Sequence, residues 1–198
     1  MSEEKLQSRI RREQIAEAAL ALVASQGLRR LSIAAVARRV GLVPSGIYRH
    51  FKSKDEMLAA ALDLLEKRLL DNVRAARQKT ADPLEQLEGI LKRHVRLIRE
   101  GRAIPRIVFS DDVHSGHPQR KQRAQRILER YLEQIGECVR EGQRQGRIRP
   151  DLSPETVGML FFGLIVPAVI RWHLSDGGFD VTRHAKQAWP LFLKAVTP

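Results

Sequence analysis

The stretch GLVPSGIYRHFKSKDEM, residues 41–57, constrains the fold more than any other part of the chain. Glycine and proline interrupt it, yet Ile47 and Phe51 sit one helical turn apart and share a face. Around them Ser45, Tyr48, Arg49, His50, Lys52 and Lys54 all carry hydrogen-bond donors. A helix this short is marginal in water, so neighbouring elements must grip it through Ile47 and Phe51. The donors are then left facing out.

Clear start and stop signals surround this stretch. Ile15, Ala18, Ala19, Leu22 and Val23 recur at helical spacing, and Gly27 ends that first helix. Ser32 is a good N-cap, with Leu31 and Val36 placed as a hydrophobic staple, for a second helix that runs to Val40 and stops at Gly41. A short third helix is expected from Pro44 to Phe51. Ser53-Lys54-Asp55-Glu56 is a capping box opening a fourth helix, which continues on Met57, Ala61, Leu64 and Leu65 towards Gln78.

Beyond Pro83 the helices lengthen. One carries Leu84, Leu87, Leu91, Val95 and Ile98 on a face, and a short one covers residues 102–114. A long one uses Leu128, Tyr131, Leu132, Ile135 and Val139 and ends near Gly146. Ser153-Pro154 supplies an N-cap and an N1 proline for an apolar helix over 153–175. Residues 175–180 form a loop, and Ala185, Trp189, Phe192 and Val196 mark a last helix over 181–196. No run alternates as a strand would. The expectation is an all-α fold of about nine helices, divided near residue 55 into an N-terminal domain, 1–55, and a C-terminal domain, 56–198.

At 198 residues the chain can bury roughly 70% of its unfolded surface in a sizeable core. Its formal charge is +12, and residues 1–55, with 11 Lys/Arg against 5 Asp/Glu, hold half of that excess. Such a balance favours polyanionic partners. The single cysteine, Cys138, excludes an intrachain disulfide framework and fits a reducing cytosol. Residues 1–12 are charged and lack the apolar core of a leader. The most apolar run, 157–170, contains Pro167 and reads as a buried helix rather than a membrane span. A cytoplasmic protein with no membrane partner is therefore expected. Nucleophile elbow, phosphate loop, dinucleotide fingerprint and HExxH are all absent, so no catalytic residue and no cofactor is assigned. Asp111, Asp112, His114 and His117 can ligate metal, but their spacing matches no tight zinc motif, and no metal site is assigned.

Helix, glycine turn and short helix form a helix-turn-helix, whose second helix lies in a DNA major groove. With Ile47 and Phe51 inward, Ser45, Gly46 and Arg49 point away, while Tyr48 and His50 flank them. Arg49 is positioned to contact guanine with two hydrogen bonds. Tyr48 and His50 suit phosphate oxygens, which position without reading sequence. Lys54 stands in the first turn of its helix, where a cation opposes the helix dipole unless a phosphate joins it there. Ser32 is first an N-cap and secondarily a phosphate contact. Lys5, Arg9, Arg11 and Arg12, placed ahead of the first helix, form an arm along DNA or are simply solvated.

The segment VARRVGLVPSGIYRHFKSKDEML resembles the N-terminal signature of TetR-type transcriptional regulators, and the match extends over about residues 9–60. Val36, Ala37, Gly41, Ile47, Tyr48, His50, Phe51, Lys54 and Met57 all fall in register. The resemblance implies a homodimer with a two-fold pair of helix-turn-helix units on double-stranded DNA, and a C-terminal effector-binding and dimerisation domain. It also implies DNA contacts from Ser32, Ser45, Tyr48, His50 and Lys54. Two positions depart from the pattern. Val43 stands where a capping serine is usual, at a cost on the order of 1 kcal/mol that Pro44 at N1 partly offsets. Gly46 replaces a better helix former at about another 1 kcal/mol. Val43, Pro44 and Gly46 all lie where bases would be met.

The resemblance assigns helices 153–175 and 181–196 to a four-helix dimer interface; a helix central to the monomer core is the alternative reading of the same pattern. His94, Phe109, Tyr131 and Trp172 are core residues by default and candidates for lining an effector pocket by resemblance. The expected function is a repressor released from a palindromic operator by a small molecule. A DNA-binding regulator without such a ligand, and an all-helical ligand carrier or enzyme, stay open as alternatives.

Overall fold

The computed structural model describes residues 3–101 and 118–198. Among these residues there are nine α-helices and no strand, so the all-α expectation holds. The helices are α1 (Glu3–Gln26), α2 (Ile33–Arg39), α3 (Pro44–Tyr48), α4 (Lys54–Arg77), α5 (Pro83–Gly101), α6 (Pro118–Arg144), α7 (Pro154–Gly163), α8 (Val166–Leu174) and α9 (Val181–Val196). A 3₁₀ turn over Leu28–Arg30 links α1 to α2. The chain divides into two compact units. One comprises residues 1–68 and 101–125, the other residues 69–100 and 126–198. Helix α4 contributes to both.

In the first unit, Ile15, Ala19 and Val23 of α1 are fully buried with Val36 of α2, Ile47, Phe51, and Met57 and Ala61 of α4. The sequence signals act as read. Ser32 accepts a hydrogen bond from the Ala35 N–H at 3.2 Å, and both members of the Leu31–Val36 staple are buried. Gly41 adopts φ +68°, which lets the Leu42 N–H reach back to the Ala37 carbonyl at 2.9 Å and close the end of α2. At the start of α4 the Glu56 N–H donates to Ser53 Oγ at 3.1 Å, while the Glu56 carboxylate accepts from the Lys52 N–H at 2.7 Å. The capping box therefore reaches one residue further back than the sequence implies. Arg123 also pairs with Asp63 in this unit.

The second unit buries Leu87, Ile90 and Leu91 of α5, Ile135, Cys138 and Val139 of α6 and Phe161 of α7. Phe161 meets Phe192 edge-on at 5.8 Å, and Trp189 stacks on Phe192 at 5.3 Å. Near the end of α6 a Cβ on Gly142 would lie 2.6 Å from the buried Ile148 side chain, so any larger residue there forces that side chain to move.

Three boundaries differ from the sequence reading. Helix α1 begins at Glu3, so Lys5, Arg9, Arg11 and Arg12 lie within it rather than on an arm. Helix α3 stops at Tyr48, with Arg49 as a C-cap still in helical geometry and residues 49 and 50 continuing as a turn closed onto the Ile47 carbonyl. The apolar segment 153–175 is two helices. Pro167 has no N–H for an intrahelical bond, and the Leu164 and Ile165 amides tighten onto Phe161 and Phe162 instead. Residues 154–174 have the length and hydropathy of a membrane span, but this turn divides them and Phe161, Ile165 and Ala168 pack into the core.

Candidate nucleic-acid interface

The exposed surface of the α2–α3 turn is set by two anchors. Ile47 and Phe51 are 0% exposed, and the Phe51 N–H donates to the Ile47 carbonyl at 3.0 Å, so the pair is held rigidly in one turn. Opposite them, Val43 is 65% and Tyr48 56% exposed, and Pro44, Ser45 and Arg49 are exposed as well. Gly46, His50 and Lys54 are half-buried, and Ser32 is exposed while its hydroxyl caps α2. Val43 makes no side-chain cap, as its aliphatic side chain requires. The sequence-derived contact set therefore lies on or beside one solvent-facing turn, framed by the starts of α2 and α4.

Arg12 holds this turn in place. Its guanidinium donates to the His50 carbonyl, donates to Glu56 Oε1 at 3.0 Å, and lies 4.2 Å from the centre of the Phe51 ring. Glu56 in turn takes the Lys52 N–H, and that bond, followed by the one from Arg12, holds its carboxyl below the usual carboxylate range. One arginine from α1 thus fixes the segment that joins α3 to α4 and carries His50 and Lys52. His50 is also shaped by its neighbours. Burial first, then the charges of Arg11, Arg12 and Arg49, lower its imidazole pKa, so the ring is neutral at neutral pH. Its Nδ1 is buried and makes no hydrogen bond among the described residues.

In the second unit, His94 Nδ1 and the Tyr131 hydroxyl lie 2.8 Å apart and both residues are buried. Burial lowers the His94 pKa to about 4 and raises that of Tyr131. Phe162 meets the tyrosine ring edge-on at 6.2 Å. Trp172 is buried, and Phe109 lies outside the described residues, as do Asp111, Asp112, His114 and His117. A groove of about 780 Å³ runs between α5 and α9, and His94, Tyr131 and Trp172 are not among its lining residues. Burial pushes the Cys138 thiol up to about 11, which keeps it protonated and unreactive. Met159, Leu160, Leu174 and Leu191 are large apolar side chains left exposed on α7, α8 and α9.

The helix-turn-helix segment matches the family model "Bacterial regulatory proteins, tetR family" over residues 15–61, and residues 65–195 match "YsiA-like protein, C-terminal region". The chain belongs to the TetR family of bacterial regulatory proteins. It is a DNA-binding transcriptional regulator and not an enzyme. Among TetR-family relatives, the HTH-type transcriptional repressor KstR2 of Mycobacterium tuberculosis is 28% identical over 194 residues, 94% of this chain and 93% of its own length. The fatty acid metabolism regulator protein of Bacillus subtilis is 22% identical over 190 residues, covering 96% and 97%. The solved structure of the transcriptional regulator FadR from Bacillus subtilis in complex with stearoyl-CoA shares the fold, with a TM-score of 0.79 at 22% identity over 91% of this chain and 96% of that one.

Within this TetR-family domain, the residues that sequence reading missed are Arg12 and Glu56. Arg12 was grouped with other cations as an arm along DNA or simply solvated, and nothing local marks it out. Its partners lie 38 and 44 residues away, so only the folded arrangement of α1 against α3 and α4 reveals its role.

Proposed function

We propose that this regulator is a homodimeric repressor that inserts α3 of each subunit into successive major grooves of a palindromic operator and is released by an amphiphilic small molecule. The observation that carries the reading is the exposed turn bearing Tyr48 and Arg49 on the buried pair Ile47 and Phe51. Residues 1–55 act as the reading head and residues 56–198 as the effector-binding and dimerisation part. Arg49, with Ser45 and Gly46, faces the bases, and Val43 and Pro44 approach the groove floor. Tyr48, His50, Lys54 and Ser32 reach phosphates. The neutral imidazole of His50 acts as a hydrogen-bonding group, not as a charge.

The exposed Met159, Leu160, Leu174 and Leu191 support pairing through α7, α8 and α9, since a set of large apolar side chains on neighbouring helices marks an association surface. The same exposed residues on a monomer would cost solubility. Stearoyl-CoA, which occupies the Bacillus subtilis FadR structure, makes an acyl thioester of coenzyme A the effector class to test. Such a ligand releases DNA only by binding more tightly to the arrangement that cannot span the operator. The setting is the bacterial cytoplasm.

Selection of bound sites from random duplexes tests the DNA half of this reading. The expected product is a palindrome whose half-sites lie about 10 base pairs apart, or a multiple of that. Enrichment of a single unpaired half-site contradicts the dimer, and no enrichment contradicts the reading head. Adding stearoyl-CoA to the selected complex tests the rest: release is expected, and unchanged binding at saturating ligand rules out that effector class.

A further inference from the structure

Helix α5 presents Glu88, Leu91, Lys92, Val95, Arg96 and Arg99 to the groove described above, and α9 presents Thr182, Ala185, Lys186, Trp189 and Pro190. The floor is apolar: Leu91, Val95, Ala185 and Trp189 are all buried. The rim is cationic, with four basic side chains against one carboxylate. That carboxylate is already used, because Glu88 pairs with Lys92 at 2.6 Å. Arg99 donates to Thr182 Oγ1 at 3.2 Å and also meets the charge of the Asp180 carboxylate at the start of α9, so Arg96 and Lys186 carry most of the free positive charge. Arg96 and Lys186 have no hydrogen-bond or ion-pair partner among the described residues.

Several other arginines of the unit do have a carboxylate partner. Arg77 pairs with Glu137, Arg140 with Glu155, Arg147 with Asp82 and Arg149 with Asp151. Like charges left facing one groove repel each other, and an anion between them reverses that sign. The groove volume, about 780 Å³, lies within the range of small-molecule sites. It is also separate from the apolar surface proposed for pairing. Lys186 and Leu191 are five residues apart on α9, which sets them about 140° apart around the helix.

We propose that this groove binds an amphiphile with an anionic head, phosphate or carboxylate. The head sits among Arg96, Arg99 and Lys186 near the start of α9, and the apolar tail runs over Val95, Leu91 and Trp189 towards Pro190. This deepens the effector reading above by giving the ligand's charged end a place and an orientation, and it rests on that reading only for its consequence at DNA. Arginine suits the head because its planar fork binds carboxylate or phosphate through two hydrogen bonds.

The test uses the full chain without DNA, so that failure here and failure of the repressor reading are separable. Emission from Trp189 is followed in a Trp172→Phe background during titration with decyl phosphate, decanoate and the neutral decyl maltoside, all kept below their micellar concentrations. The anionic compounds should bind at least about tenfold more tightly than the neutral one, and Arg96→Gln with Lys186→Gln should remove that preference while the melting temperature stays put. A preference for decyl phosphate identifies a phosphate head and the reverse a carboxylate; either outcome supports the site. Calorimetric titration of the unaltered chain against the Arg96→Gln/Lys186→Gln variant repeats the comparison with both tryptophans in place. Equal affinity for charged and neutral amphiphiles overturns the proposal, as does full retention of anion affinity in the double variant. A chain that binds decyl phosphate in this way yet ignores every duplex would keep the groove and sink the repressor.

Discussion

In the N-terminal unit Ile47 and Phe51 are wholly buried while Ser45, Tyr48 and Arg49 stand in water. In the C-terminal unit the polar pair His94 and Tyr131 is buried, and Met159, Leu160, Leu174 and Leu191 are exposed. Polar outside and apolar inside suits a surface that meets a hydrated, charged partner and must stay soluble without it. The inverted arrangement suits a surface that is covered in use, over a core that tolerates one self-satisfied polar pair. On the proposed reading the two units meet different partners: a polyanion for the first, and a second copy of the chain together with an amphiphile for the second.

The largest expected effect breaks the apolar half of that contrast. Leu160→Glu with Leu191→Glu should yield a monomer by sedimentation equilibrium and lower operator affinity on the order of 10³-fold, about 4 kcal/mol, because the second half-site is no longer tethered. A variant that stays dimeric would move the interface elsewhere. Next comes acid stability. His94 is buried neutral with a pKa near 4, against 6.5 when unfolded, so its contribution is complete above pH 6.5 and is lost as pH falls from there towards 4. Urea unfolding across that window should lose about 3 kcal/mol, and His94→Gln should abolish most of the slope. An unchanged slope in the variant would place the sensitive group elsewhere.

Smaller effects sharpen the polar half. Arg12→Ala should weaken DNA binding by about tenfold through loss of the hold on the α3–α4 segment, with no change in salt dependence because its guanidinium is engaged by His50, Glu56 and Phe51. Glu56→Gln is the stricter test. It removes a negative charge beside the surface proposed to face DNA, which simple electrostatics says should help, yet loss of the ion pair with Arg12 should make gel-shift affinity fall. Smallest are the repairs to α3. Val43→Ser and Gly46→Ala should each raise stability by up to about 1 kcal/mol in urea unfolding. The alanine fits, because its Cβ would meet Leu42 at an ordinary 3.5 Å.

What could be read from the sequence was what is encoded locally. Ser32, Gly41 and Ser53 act within four or five residues of themselves, and each closes its helix end as the sequence implies. Ile47 and Phe51 share a face by spacing alone, and both are buried. The last helix spans 181–196 as expected. Reading failed where the cause is distant or depends on a whole helix. The N-terminal seven residues of α1 have no apolar stripe to mark them, yet they continue a helix anchored further on by Ile15 and Ala19. Pro167 was seen, but whether it kinks or divides a helix depends on packing. His94 and Tyr131 are 37 residues apart, so their mutual hydrogen bond could not be inferred from either neighbourhood.

The salt dependence of duplex affinity tests the central claim most directly. If the cations of each N-terminal unit, Lys54 among them, neutralise about four phosphates per subunit, a plot of log affinity against log salt concentration should have a slope near −7. Lys54→Ala, present twice in the dimer, should reduce that slope by about two units, while Arg12→Ala leaves it unchanged. A slope near zero, or no binding to any duplex at low salt, would contradict the assignment of this surface to DNA.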